Sequence, residues 1–296
     1  MTASADPVTE RSVVIVGHVC IDENTGADAD GAGPRPLRRE AGSPAFFMNR
    51  QLRRVDGVRV SVIAPYGPDF RAVDDTLPLA NPATAGETLL YRNHIEGDVR
   101  RQECFHAGSA DPVPVTPELR RSIGRADIVI VAPLLPSFTA EALDTVLAAA
   151  SGGALTMLLV QGYLRAVSPE GAVTQRTFAE AAEVLPRFDV VVLSDEDTVD
   201  AVATATRWST DFPQTTIVVT ENRHGATYLR GGVAERVAAR PIERSGVGSV
   251  IGAGDVFSAA LALALGEGQG IHSAVTAAND AAGAFIDGAR KAALAA

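Results

Sequence analysis

The sequence predicts an α/β fold in which a mostly parallel central sheet carries helices on both faces. Six short apolar runs rich in β-branched residues alternate with segments of helical spacing. Continuous apolar runs are typical of strands buried on both faces, and strands that alternate with helices form parallel sheets. The chain of 296 residues is long enough to bury a full core, and we interpret residues 10–296 as one domain. The six runs are 13–19, 60–65, 127–132, 155–160, 189–193 and 216–220.

Start signals for helices lie between these runs. A Ser, Thr or Asp side chain before a helix accepts a hydrogen bond from a backbone N–H that has no partner in the first turn. Ser43, Thr116 and Ser137 are candidates for this N-cap position. Pro44 and Pro117 follow the first two, and proline is favoured at the first helical position. We therefore expect helices to begin after these three residues.

Two segments in the N-terminal third interrupt the alternation of strands and helices. Residues 88–95 and 99–105 mix polar with apolar residues and flank the short turn Glu96-Gly97-Asp98, which predicts a β-hairpin outside the main sheet. The stretch 24–39 is rich in Gly, Asp and Pro, which predicts a mobile loop or an edge segment. Together the segments at about 20–42 and 86–106 predict a small β lid over the open end of the α/β domain.

The composition excludes several classes of partner. The chain has 26 Lys and Arg against 36 Asp and Glu, a formal net charge of −10, and no basic run that could follow a phosphate backbone. No apolar stretch reaches the roughly 18 residues of a membrane span. Cys20 and Cys104 are the only cysteines, too few for a disulfide framework or a four-thiolate zinc site. We therefore expect a cytoplasmic protein that binds neither nucleic acid nor membrane.

The lysine and histidine patterns exclude further chemistry. Lys291 is the only lysine, so the chain has no Walker A lysine, no protein-kinase strand lysine and no pyridoxal Schiff base. The 5 histidines include no helical pair four residues apart, and neither His-Glu-x-x-His nor Gly-x-Ser-x-Gly occurs. No Gly-x-Gly-x-x-Gly follows the first predicted strand. These absences disfavour a metallohydrolase, a serine hydrolase and a dinucleotide-dependent oxidoreductase.

The strongest local signal is Gly252-Ala253-Gly254-Asp255, which precedes the almost wholly apolar stretch 256–265. A helix that is apolar all round lies in the interior, and a helix N-terminus opened by glycines offers its unpaired amides and positive dipole to an anion such as phosphate. Asp255 at that end stays ionised and can accept a proton from a substrate hydroxyl. The alternative is a glycine-rich connection in which Asp255 only caps the helix.

The Gly-Ala-Gly-Asp element before a buried helix resembles the signature of the ribokinase-like (PfkB) family of carbohydrate and nucleoside kinases. Other segments match that family's pattern in the same order and extend the resemblance over nearly the whole chain. They are the opening strand 14–22 with Asp22 at its end, Gly42-Ser43-Pro44 before a helix, strand 60–64 with Tyr66-Gly67-Pro68-Asp69-Phe70, the strand and turn 218–226, and Asn279. The resemblance implies a ribokinase-like fold.

The resemblance also implies phosphoryl transfer from ATP, with Mg²⁺, to a hydroxyl of a small molecule. Asp255 is then the base, and the amides of Gly252, Ala253 and Gly254 stabilise charge on the moving phosphoryl group. The implied nucleotide-binding residues are Ser194, Thr220, Asn222, Gly225 and Asn279, and the implied substrate-binding residues are Asp22, His18, Gly42, Ser43 and Arg101. His18 is equally well explained as a structural histidine, and Arg101 as part of a solvated ribbon face.

Three departures from the family's pattern affect this hypothesis. The metal-linked Asn-x-x-Glu element aligns with Ser194-Asp195-Glu196-Asp197, where Asp197 could hold a water of Mg²⁺ or could simply favour the start of a helix. Ser249-Val250-Ile251 replaces an Asp-x-Thr segment, which puts a monovalent-cation site in doubt. Asn222 replaces a common glycine, which is a mild change because asparagine tolerates a left-handed turn.

We therefore predict an ATP-dependent kinase that phosphorylates a sugar or a cyclitol. The lid sequence and residues 106–114 also resemble plant inositol kinases. Two alternatives remain: a nucleoside kinase of the same fold, and a ligand-binding protein that keeps the fold without catalysis. An exposed lid edge would allow a homodimer, because an unpaired strand edge pairs readily with another chain.

Overall fold

The computed structural model describes residues 10–26, 38–96, 99–242 and 251–294. The strands are β1 (Arg11–Gly17), β2 (Cys20–Gly26), β3 (Arg38–Gly42), β4 (Val58–Ile63), β5 (Leu89–Glu96), β6 (Val99–Phe105), β7 (Ile128–Ala132), β8 (Leu155–Leu159), β9 (Arg165–Val167), β10 (Val173–Gln175), β11 (Val190–Ser194), β12 (Thr216–Thr220), β13 (Ala226–Arg230) and β14 (Val233–Val237). The helices are α1 (Pro44–Leu52), α2 (Phe70–Val73), α3 (Pro117–Gly124), α4 (Ala140–Leu147), α5 (Ala181–Val184), α6 (Ala201–Asp211), α7 (Ala253–Gly266) and α8 (Ile271–Leu294).

The main sheet has 8 strands in the order β14-β13-β12-β11-β8-β7-β1-β4. The pairs from β4 to β12 are parallel, and β13 and β14 are added antiparallel. This arrangement confirms the α/β prediction, and the six predicted strands are β1, β4, β7, β8, β11 and β12. Their carboxyl ends all lie along one edge of the sheet.

Two apolar layers explain why the strand sequences are continuously apolar. Ile15 of β1 lies between Val62 of β4 and Ile130 of β7, and all three are fully buried. One face of the sheet packs against α1, α7 and α8, and the other packs against α3, α4, α5 and α6. Because both faces of the main sheet are covered by helices, its strands do not alternate between apolar and polar residues.

Two of the three predicted helix starts are confirmed. The Ser43 hydroxyl accepts a hydrogen bond from the Phe46 amide, and the Thr116 hydroxyl accepts one from the Leu119 amide, both at 3.3 Å. The prediction for Ser137 is wrong, because α4 is capped by Thr139. Ser137 instead donates its hydroxyl proton to the carbonyl of Ala110 at 2.6 Å.

A separate 4-stranded sheet, in the order β3-β2-β5-β6, contains both segments of the predicted lid, and we call this sheet the lid. The hairpin is confirmed, with β5 antiparallel to β6 and Tyr91 opposite Cys104, although positions 97 and 98 of its turn lie outside the described residues. The expectation for 24–39 is partly wrong. Asn24 continues the interior strand β2 and Arg39 belongs to the edge strand β3, while 27–37 are not described.

The position of Asp22 also differs from the sequence prediction. The opening strand β1 ends at Gly17, so Asp22 lies in β2 of the lid and not at the end of a strand of the main sheet. The chain leaves the main sheet because β2 pairs with β3 and β5 rather than with β4 or β7. No helix within the described part of the chain is long and apolar enough to cross a membrane.

Candidate active site

The lid packs over the carboxyl edge of the main sheet, and we call the space between the two the cleft. The contact is an apolar cluster in which the loop after β7 meets the base of the lid. Its buried members are Cys20, Leu89, Tyr91, Cys104, Ala110, Leu134 and Leu135. The Tyr91 hydroxyl adds a hydrogen bond of 3.3 Å to the Leu134 carbonyl. In α/β proteins ligands bind outside the carboxyl ends of the parallel strands, so this cleft is the candidate site.

The Gly-Ala-Gly-Asp element forms the start of α7. Gly252 is the N-cap residue with φ +95°, and a Cβ at this position would overlap the Phe47 ring of α1. A side chain is therefore excluded at position 252 both by the left-handed backbone and by the close approach of the Phe47 ring. The first helical hydrogen bond runs from the Val256 amide to the Gly252 carbonyl at 2.9 Å. The amides of Ala253 and Gly254 thus have no acceptor inside the helix.

The same helix presents an open surface at its first turn. A Cβ on Gly254 would meet no atom within 4 Å, so a ligand can approach the backbone there. Asp255 is half-buried in the first turn, at the positive end of the helix dipole. Val256, Phe257, Ser258 and Ala259 are buried, which holds the N-terminus of the helix in place.

Three predicted nucleotide-binding residues lie side by side at the ends of β11 and β12. Ser194 is in register with Thr220, and the Asp195 amide donates to the Thr220 carbonyl at 2.9 Å. Asn222 adopts a left-handed conformation with φ +51°, as the sequence allowed. Its amide group donates to the carboxylates of Asp195 at 2.8 Å and Glu196 at 3.2 Å.

The other two predicted nucleotide-binding residues meet at Val237 of β14. Gly225 closes the turn after β12, and its α-carbon faces the Val237 carbonyl so closely that a Cβ would overlap it. The Asn279 side chain of α8 donates to the same carbonyl at 3.1 Å. The Asn279 amide group therefore links α8 to the edge of the sheet beside this turn.

Asp197 lies directly beside Ser194, as the aligned metal-linked element requires. One of its carboxylate oxygens accepts a hydrogen bond of 2.8 Å from the Ser194 amide. Burial raises the pKa of Asp197, and the hydrogen bond and the charge of Arg165 oppose that rise. Within the described residues, no group of three or more His, Cys, Asp or Glu side chains is placed to hold a metal ion. A single carboxylate of this kind fits a Mg²⁺ ion that keeps most of its waters.

On the substrate side, Asp22 and Gly42 are brought together. Asp22 is buried in β2, and a Cβ on Gly42 of the neighbouring strand would overlap its carboxylate. Gly42 therefore provides the space in which the carboxylate lies. Ser43 follows with φ +94° and caps α1, so it links the lid strand β3 to the first helix.

The structure places Arg101 on a different face of the lid from the predicted substrate-binding residue Asp22. Asp22, Tyr91 and Cys104 are in register across the lid sheet, so their side chains share one face, which we call the inner lid face because it packs on the main sheet. Arg101 is three residues from Cys104 on β6, and alternation along a strand places it on the opposite face, where it is exposed. Arg101 therefore fits the alternative, a solvated face.

The structure favours the structural interpretation of His18. Its ring is fully buried, Nδ1 accepts a hydrogen bond from the Leu134 amide at 2.8 Å, and Nε2 donates to the Ala110 carbonyl at 2.7 Å. Burial lowers the pKa of His18 to about 4, so the ring is neutral at pH 7. With both nitrogens engaged by the main chain, the ring holds the loop after β7 in place.

Sequence reasoning missed a row of amides on the inner lid face. The Asn93 side chain donates to Asn24 at 2.9 Å, and the Gln102 side chain donates to Asn93 at 2.8 Å. These residues alternate with Glu23, Arg92 and Glu103, whose ion pairs lie on the opposite face. The alternation of side chains along β5 and β6 could have identified this row from the sequence, because every second residue of a strand lies on the same face. It puts Asn93 and Gln102 on the same face as Asp22.

The sequence profile of the pfkB family carbohydrate kinases matches residues 88–289. The chain belongs to the pfkB family of carbohydrate kinases. It is therefore a phosphotransferase that acts on an alcohol group, and its fold is ribokinase-like. No curated protein sequence matches this pfkB-family kinase significantly.

Solved structures with the same fold include three described kinases. A pyrophosphate-dependent kinase of the ribokinase family, complexed with a pyrophosphate analog and myo-inositol, is 17% identical with a TM-score of 0.71 and covers 93% of this chain and 95% of its own. A microbiome-derived acarbose kinase is 19% identical with a TM-score of 0.68, covering 93% and 92%. The ribokinase from Thermotoga maritima is 14% identical with a TM-score of 0.66 and covers 93% of this chain and 92% of its own. At these identities the likeness shows the fold.

Proposed function

We propose that this pfkB-family kinase transfers a phosphoryl group from ATP to a hydroxyl of a neutral sugar or cyclitol. The observation that carries the proposal is the inner lid face, where the Asp22 carboxylate is followed by the amides of Asn24, Asn93 and Gln102. Amides both donate and accept hydrogen bonds, as the hydroxyls of a polyol do, and a carboxylate accepts them from two neighbouring hydroxyls.

The same face argues against the nucleoside alternative. Recognition of a base uses an accessible aromatic ring for stacking. Tyr91 is the aromatic residue that β5 places on this face, and it is 2% exposed with its hydroxyl on the Leu134 carbonyl. Its ring is used in the contact between the lid and the main sheet. A polyol needs hydrogen bonds but no stacking surface, so it fits the inner lid face better than a nucleoside does.

In the proposed reaction Asp255 accepts the proton of the substrate hydroxyl as its oxygen attacks the terminal phosphorus of the donor. The amides of Gly252, Ala253 and Gly254 face the charge that develops on the phosphoryl oxygens. Such transfer depends mainly on positioning and electrostatics, so it requires no lysine at the site. Mg²⁺ bound with the donor phosphates would neutralise part of their charge, and Asp197 and Ser194 are the residues that would hold its waters.

Inorganic pyrophosphate is a second candidate donor. A structural relative of this chain is a pyrophosphate-dependent kinase, and the amides at the start of α7 would recognise a phosphate whatever its leaving group. ATP is favoured by the residues beyond the phosphate site. Thr220, Asn222, Gly225 and Asn279 line the end of the sheet from β12 to β14, where a nucleoside could lie.

The test is a two-way panel of donors and acceptors. Purified protein is incubated with Mg·ATP or Mg·pyrophosphate and with sugars, cyclitols or nucleosides, and phosphorylated products are detected by mass spectrometry. We expect a phosphorylated sugar or cyclitol with ATP as donor. Phosphorylation of nucleosides alone would overturn the substrate assignment. Binding of a polyol without turnover under either donor would favour the non-catalytic alternative.

A further inference from the structure

One cluster of hydrogen bonds closes the segment that links the main sheet to the hairpin β5-β6 of the lid. The chain leaves β4 at Ile63 and enters β5 at Leu89. Early in this segment, the Asp69 carboxylate accepts hydrogen bonds from the Thr88 hydroxyl at 2.8 Å and from the Thr88 amide at 3.1 Å. The Thr88 hydroxyl in turn accepts a hydrogen bond of 2.9 Å from the Gly67 amide. We call Gly67, Asp69 and Thr88 the Thr88 clamp.

The Thr88 clamp is tightly packed and uses its carboxylate for the lid. Thr88 is 1% exposed, so its hydroxyl depends on these partners for its hydrogen bonds. A Cβ on Gly67 would overlap both the Gly86 carbonyl and the Asp69 carboxylate. Asp69 is the N-cap residue of α2, yet its side chain makes no capping hydrogen bond to that helix. An aspartate at this position usually binds the first helical amides, and here it binds Thr88 instead.

Both ends of the hairpin β5-β6 meet at the Thr88 clamp. His106 follows the last residue of β6, has φ +59°, and donates from Nδ1 to the Thr88 carbonyl at 3.0 Å. The entry and the exit of the hairpin are therefore fixed to one residue. Asn93 lies five residues beyond Thr88 and belongs to the row of amides on the inner lid face. A displacement of Thr88 would shift that row relative to the main sheet.

We propose that Asp69 is a positioning residue for the substrate, because through Thr88 it sets the distance between the inner lid face and the start of α7. This inference rests on the proposed function. Within the described residues, the hydrogen bonds of the Asp69 carboxylate all come from Thr88, so it acts through the lid. The amides that bind the alcohol lie on the lid, whereas Asp255 lies on α7. Loss of the Thr88 clamp therefore weakens alcohol binding more than it slows transfer.

The test compares Asp69→Ala with Asp74→Ala. The two aspartates flank α2 and are both half-buried. Asp74 accepts hydrogen bonds from the Thr76 amide at 2.8 Å and the Thr76 hydroxyl at 3.1 Å, within its own loop, so it is a matched control outside the lid. We expect Asp69→Ala to raise the KM for the alcohol about 10-fold, with kcat within about threefold and unchanged calorimetric affinity for Mg·ATP. Asp74→Ala should stay within about twofold of the parent in KM, and urea unfolding should show both variants folded.

A second pair of variants keeps the test decisive if Asp69→Ala does not fold. Thr88→Val removes the hydroxyl with little change of shape, and Thr88→Ser keeps the hydroxyl. We expect Thr88→Val to raise the KM for the alcohol about 10-fold and Thr88→Ser to stay within about threefold of the parent. Hydrogen exchange of the amides of β5 and β6 should be faster in Asp69→Ala and Thr88→Val than in Asp74→Ala.

A folded Asp69→Ala protein with the parent's KM would overturn the proposal. An equal rise in KM in Asp74→Ala, or equal KM values in Thr88→Val and Thr88→Ser, would also overturn it, because a role in stability alone predicts no difference within each pair. If the parent protein neither binds nor phosphorylates an alcohol, the proposed function fails separately. Hydrogen exchange then still tests the Thr88 clamp, and unchanged exchange of β5 and β6 in Asp69→Ala would overturn it.

Discussion

Asp255→Asn separates a catalytic base from an acidic residue that only favours the start of the helix through its charge. Asparagine has nearly the shape of aspartate, so the change removes a charge and little else. Asp255 lies in the first turn of α7, where loss of a negative charge costs about 0.3–1 kcal/mol of the free energy of unfolding. General-base assistance is worth about 10²–10⁴ in rate. We expect kcat to fall at least about 100-fold with nearly parental stability.

The assay combines steady-state kinetics on the best alcohol with urea unfolding. Asp200→Asn is the matched control, because Asp200 caps α6 through a hydrogen bond from the Ala203 amide at 3.1 Å and lies after the acidic turn. That variant should lose a similar amount of stability and retain its turnover. A folded Asp255→Asn protein with turnover close to that of Asp200→Asn would refute Asp255 as the base.

Three further predictions test other parts of the site. Gly254→Val should fold, because a Cβ there meets no atom within 4 Å, yet it should abolish Mg·ATP binding in calorimetry by blocking phosphate approach. Gln102→Met should raise the KM for the alcohol about tenfold with little change in kcat, while Arg101→Met on the opposite lid face should change neither. The unfolding free energy should fall by about 3 kcal/mol as pH drops from 6.5 towards about 4, because the unfolded chain protonates His18 while the buried ring stays neutral. His18→Gln should reduce that pH dependence, and an identical pH profile would contradict the assignment.

The main sheet could be predicted because its strands are buried on both faces. A run such as 128–132 is apolar at every position, which a strand between two helical layers requires. The lid was harder to predict. Asn24 and its neighbours are polar and lie next to glycines and aspartates, yet they form an interior strand because Asn24 finds a partner in Asn93, 69 residues away. Local composition carries no information about such a distant partner.

The site shows the same division between local and distant causes. The Gly-Ala-Gly-Asp element could be predicted because a helix N-terminus binds anions through its own backbone. The role of His18 could not, because its two hydrogen-bond partners are 92 and 116 residues away along the chain.

A short path through α1 connects the substrate side of the cleft to the phosphate side. Asp22 lies against Gly42 at the end of β3, and the next residue, Ser43, caps α1 with a left-handed backbone. One turn later the ring of Phe47 fills the space that a Cβ on Gly252 would need. The proposed substrate carboxylate and the N-cap of the phosphate-binding helix are therefore positioned by one contiguous stretch of chain.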